Sequence, residues 1–61
     1  MNMHQMTWAS VHDWFVGSLE LIGGDWMVVV EDHLLDTKSG EWTRVVKEFT
    51  SFKELKAWAG Y

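Results

Sequence analysis

The chain has 61 residues with no cysteine, no proline and five tryptophans, and nine acids against five Lys and Arg leave a formal net charge of −4. A chain this short forms one domain, residues 1–61, which buries only about 60% of the surface exposed by its unfolded form. Without cysteine it has neither a disulfide framework nor a thiolate metal site, which points to a reducing, cytoplasmic setting, and no apolar run approaches the about eighteen residues of a membrane span.

At this length a stability of about 3–9 kcal/mol is expected. Small domains compensate with disulfides, metals, large core side chains or self-association. Only the last two remain here, and Trp8, Trp14, Trp26, Trp42 and Trp58 supply the large side chains. A hydrophobic fraction of 48% argues against disorder.

In chain order, residues 1–7 read as a flexible arm carrying Met1, Met3 and Met6. Trp8 to Asp13 read as a turn of helix or a continuation of that arm. Residues 10–24 read two ways. As a helix over 11–22, Ser10 caps, Val11, Trp14, Phe15, Leu19 and Ile22 line one side, and Gly23-Gly24 ends it. As a strand, Phe15, Leu19 and Leu21 alternate with Val16, Ser18 and Glu20, and Gly23-Gly24 forms a two-residue hairpin loop. Gly17-Ser18 in mid-segment weakens the helix by about 1 kcal/mol and favours the strand.

The next two elements are strands. Trp26-Met-Val-Val-Val-Glu31 is rich in β-branched residues, Glu41 to Phe49 has strand propensity, and Asp36-Thr-Lys-Ser-Gly40 between them is turn chemistry. Trp26, Val28 and Val30 alternate with Met27 and Val29, so both faces of the first strand are apolar and both require cover. The last element is a helix over 52–59. Ser51 and Glu54 form a capping-box pattern, Phe52, Leu55 and Trp58 share a face, and Gly60 stops it. The fold class is therefore α+β, a three-stranded antiparallel meander followed by a C-terminal helix, with α-β-β-α as the alternative. One short helix covers one sheet face, and the other face calls for a second helix or a second copy.

From Trp26 to Trp58 the order of strand, Thr-Lys-Ser-Gly turn, strand and Phe-Thr-Ser-Phe-Lys-Glu-Leu-Lys-Ala-Trp helix resembles the arm-site DNA-binding domain of phage tyrosine integrases. The resemblance covers about half the chain and implies three strands and a helix. It departs where DNA would bind, because the integrase sheet is basic and this one carries Glu31, Asp32, Glu41 and Glu48.

No motif assembles a catalytic centre. Ser10, His12 and Asp13 are the residue types of a hydrolase triad, but such close neighbours point in divergent directions. His4, His12 and His33 lack metal-ligand spacing, and Gly23-Gly24 lacks the rest of a phosphate loop, so neither metal nor cofactor is expected.

Charge is placed unevenly. Met1 to Asp36 contains six acids and no Lys or Arg, whereas Thr37 to Tyr61 contains three acids and five bases. That disfavours nucleic acid as a partner and leaves Glu31, Asp32 and Asp36 as an acidic cluster. Trp is enriched at binding hot spots, and Trp42 and Trp8 are the candidates for exposed aromatics, with Trp26 and Trp58 in the core.

The expectation is a non-enzymatic protein-binding module, a homodimer, contacting its partner through Glu31, Asp32, Asp36, Trp42 and Trp8. Small size, acidity and aromatic content resemble the style of phage or mobile-element inhibitors of host nucleic-acid-handling or defence proteins. DNA mimics are among these, which implies a partner with a basic groove. Two rival expectations are a nucleic-acid-binding accessory domain using Arg44, Lys47, Lys53, Lys56 and a stacking Trp42, and a structural subunit of a larger assembly.

Overall fold

The computed structural model describes residues 1–61. Along the chain lie α1 (Met3–Ser10), β1 (Phe15–Glu20), β2 (Trp26–Leu35), β3 (Trp42–Phe49) and α2 (Phe52–Ala59). The strands form one antiparallel sheet in the order β1-β2-β3. This is the meander and C-terminal helix expected from the sequence, with an additional helix at the N-terminus. The alternative helix over 11–22 is excluded, because residues 15–20 form β1, whose Phe15 and Gly17 to Glu20 pair with β2.

The N-terminal residues differ from the expected arm, for two local reasons. Asn2 Oδ1 accepts from Gln5 N at 2.8 Å while Asn2 N donates to Gln5 Oε1 at 3.0 Å, a reciprocal capping box that opens α1. Ahead of the helix, Met1 lies against the end of β2. Its amino nitrogen donates to Trp26 O at 3.2 Å and to Thr50 O at 2.7 Å, and its carbonyl accepts from Trp26 N at 2.8 Å. The Met1 side chain is buried as a result.

β1 contains an irregularity that decides which way its side chains face. Phe15 pairs with Val30, but Gly17 pairs with Val29, so Val16 is an extra residue in the ladder. The bulge does not depend on glycine, because a Cβ at Gly17 would meet nothing within 4 Å and its φ is not left-handed. It turns Phe15 towards the covered face and Leu19 towards the open one, where simple alternation would place them together. The connection to β2 is longer than a two-residue loop. Leu21 N donates to Asp25 O at 2.7 Å, and Gly23 and Gly24 between them take φ of 91° and 82°, values that L side chains avoid.

α2 follows the sequence closely. Ser51 Oγ accepts from Glu54 N at 3.3 Å, and Gly60 adopts φ 89° as a left-handed cap. Tyr61 N donates to Lys56 O at 2.9 Å and closes the helix.

Both helices pack on the same face of the sheet. Met1, Ala9, Val28, Val30 and Leu55 form the buried core, so α1 and α2 both cover the face that carries Val28 and Val30. Trp8 on α1 meets Phe52 on α2 edge-on at 5.2 Å. Around this small centre Trp14, Trp26, Phe49 and Trp58 are partly buried, with Trp14 edge-on to Trp58 at 5.4 Å. The aromatic rings thus supply the bulk that five buried residues cannot.

Leu55 is fully buried and joins α2 to β2. Leu55→Ala should cost about 2–5 kcal/mol, most of the about 3–9 kcal/mol expected for the whole domain. The variant should unfold at a clearly lower urea concentration, followed by circular dichroism. An unchanged urea midpoint would show that the helix is held by something else.

Candidate functional site

The face of the sheet opposite the helices is uncovered. Alternation along β2 places Met27, Val29, Glu31, His33 and Leu35 there, and the register adds Glu48, Val46, Arg44 and Trp42 from β3 and Leu19 from β1. Trp42 is 66% exposed, Leu19 56%, Val46 49% and Leu35 47%, so the patch is apolar and open to solvent. Exposed apolar side chains mark contact surfaces where they adjoin, as Trp42 and Leu35 do at one end of this face.

Charged side chains cross the middle of the patch. Glu31 Oε1 lies 3.2 Å from Arg44 Nε and 3.2 Å from His33 Nε2, with Glu31 the least exposed of the three. From one end of β2 to the other the face runs from Leu35 and Trp42, through His33 and Arg44, to Glu31 and Val46, then Val29 and Glu48, and finally Met27 and Leu19. Apolar ends enclose a basic row and an acidic one.

The sequence-derived contact residues do not share one surface. Glu31 and Trp42 lie on the open face, whereas Asp32, the neighbour of Glu31, points to the helix side. There Asp32 Oδ2 accepts from Trp58 Nε1 at 3.0 Å and pairs with Lys47 Nζ at 3.2 Å, and Oδ1 accepts from His33 N at 2.8 Å. Asp36 is in the β2–β3 turn, where its Oδ1 accepts from Lys38 N at 2.9 Å. Trp8 is half-buried between the helices, with His12 at 4.4 Å and Phe52 and Tyr61 each at 5.2 Å. The acidic cluster is therefore dispersed, and each of its three members already has a hydrogen-bond or ion-pair partner.

Val46, Leu35, Leu19 and Glu48 complete the open face and were not singled out in the sequence. The phase of β2 was the available signal, since an apolar face left without a helix must be this one once Val28 and Val30 are assigned to the core.

Ser10, His12 and Asp13 do not converge. Ser10 Oγ donates to Thr7 O at 2.7 Å, His12 Nδ1 lies 2.9 Å from Trp8 O, and Asp13 is exposed. The largest concavity, about 500 Å³, is an open cleft lined by Gln5, Phe52, Lys53, Lys56, Ala57 and Tyr61, with no acidic side chain among them. No group of three or more His, Cys, Asp or Glu side chains is placed to hold a metal ion. No helix is long and apolar enough to cross a membrane.

Searches of protein-family models, curated proteins and solved structures find no match to this chain.

Asp32 gives this arrangement a pH signature. The Trp58 indole N–H, then the His33 backbone N–H and Lys47, hold its carboxyl below the ordinary 3.8. A carboxylate with a depressed folded-state pKa contributes stability above its unfolded value and loses it as pH falls through the folded one. Asp36, lowered chiefly by the Lys38 backbone N–H, acts with the same sign. Asp32→Asn should melt below the native chain at about pH 7, and the gap should narrow as the pH is lowered to about 2.5. A gap that stays constant over that range would separate Asp32 from the acid response.

Proposed function

We propose that this chain is a non-enzymatic protein-binding module that docks through the open face of its sheet, with Trp42 as the aromatic anchor. One observation carries this reading. Two helices are available to cover a two-faced sheet, both pack on one side, and the other side keeps Trp42, Leu35, Val46 and Leu19 in solvent. Burying such side chains is the main source of favourable free energy in association, about 25 cal/mol per Å² before ordering costs. Trp and Arg are the residues that most often dominate contact energies, and Trp42 and Arg44 lie in adjacent rows.

The charges support this surface better than an acidic mimic of nucleic acid. Glu31 is paired with Arg44, Asp32 points to the other side, and Asp36 is engaged by its own turn. A basic groove would meet few free carboxylates on one surface. Nucleic acid is served no better, because Arg44 and Lys47 face opposite ways and each is paired with an acid.

A photoreactive amino acid at position 42 tests the reading, with the same group at the exposed Lys53 position on α2 as the control. Cross-linking to protein, whether this chain or another, should occur from position 42 and be lost in Val46→Asp, with little from position 53. Equal yields from both positions would remove the open face as the contact surface.

A further inference from the structure

We propose that the occupant of the open face is a second copy of this chain, packed face to face about a two-fold axis through the Glu31–Val46 row. The inference rests on the reading of this face as the contact surface. It goes further by fixing the partner and the alignment.

The order of side chains along the face carries the argument. The ladder pairs Leu35 with Trp42, His33 with Arg44, Glu31 with Val46 and Val29 with Glu48, and Met27 lies beyond. A two-fold axis lying across the strands at the Glu31–Val46 row reverses this order in the second copy. Leu35 then lies over Met27 of the second copy, and Val46 lies over its own equivalent. Arg44 lies over Glu48 of the second copy, and Glu48 over that copy's Arg44. One operation thus matches Leu35 with Met27 and base with acid, twice, between them, and it places His33 over Val29 while Trp42 extends past Glu48 of the second copy. Symmetry of this kind requires a self-complementary patch. Glu31 meets its equivalent at the axis, where the Arg44 beside it in each chain offsets the repulsion.

The geometry of stacked sheets permits these contacts. Aligned sheets pack about 10 Å apart at about 30°. Arg44 stands two residues, about 7 Å, from the axis, so that angle displaces its row by only about 3–4 Å, within the reach of an arginine. The ten-residue β2 with its two neighbours offers a footprint of roughly 30 Å by 14 Å, about 400 Å². That is smaller than the about 800 Å² per partner of a standard stable interface. A weak dimer, visible only as concentration rises, is the expectation from that area.

Sedimentation velocity over a concentration series, with Arg44→Glu and Glu48→Arg chains alone and mixed, tests the proposal. The native chain should pass from monomer to dimer with concentration. Each variant should dimerise at least about tenfold more weakly, with its circular dichroism unchanged. An equimolar mixture should regain the dimer, because only the mixed pair restores both base–acid contacts. A native dimer unaffected by either variant, or variants not rescued by mixing, would overturn this alignment. A chain that stays monomeric while position 42 cross-links to a foreign protein would overturn the second copy and leave the docking reading standing. A monomer with no cross-linking from position 42 would end both.

Discussion

β2 is the element on which the other four depend. It is the central strand, it supplies two of the five buried residues, and each of its faces carries apolar side chains. Val28 and Val30 fix where the helices go, because Ala9 of α1 and Leu55 of α2 pack on them, while Leu34 further along the same side stays 53% exposed. Met27 and Val29, one residue out of phase, are left on the other side. The open face is thus a consequence of helix placement and strand periodicity together, and no separate device exposes it.

The covered side is held by aromatic contacts more than by aliphatic packing. Trp8, Trp14, Phe52 and Trp58 meet one another edge-on or tilted across α1, α2 and the segment before β1. The Trp58 indole also reaches Asp32 on β2, so one side chain of α2 contributes both apolar area and a hydrogen bond to the sheet. Asp32 in turn binds Lys47 on β3. A partly exposed ion pair contributes little on its own. Here it adds to a hydrogen bond that already ties α2 to β2.

Much of this was legible in the sequence. Ser51, Glu54 and Gly60 marked α2 almost to the residue, and the β-branched run after Trp26 marked β2. The need to cover two faces was also readable, although the sequence does not say that both helices choose the same one. That choice depends on Met1 and Ala9, which fit beside Val28 because of their positions in space. The Asn2 and Gln5 capping pair was present as a signal for α1, but the methionine-rich segment has no clear apolar stripe to accompany it. The separation of Glu31 from Asp32 follows from strand geometry alone, since neighbours on a strand point to opposite faces. The location of Trp8 does not, because a tryptophan serves a core and a contact surface equally well and only the packing of α1 on α2 decides between them.

The Met1 contact bears on how this chain acquires its structure. Its amino nitrogen is bonded to the carbonyl of Thr50, 49 residues away, and also to Trp26. Such a contact cannot form during synthesis until β3 has been made, and α1 has little of its own to hold it before then. The Met1 contact therefore waits for Thr50, the residue that follows β3. Closing a loop of that span early is entropically costly. The β2–β3 ladder, by contrast, closes through the short Asp36–Gly40 turn and carries no such cost.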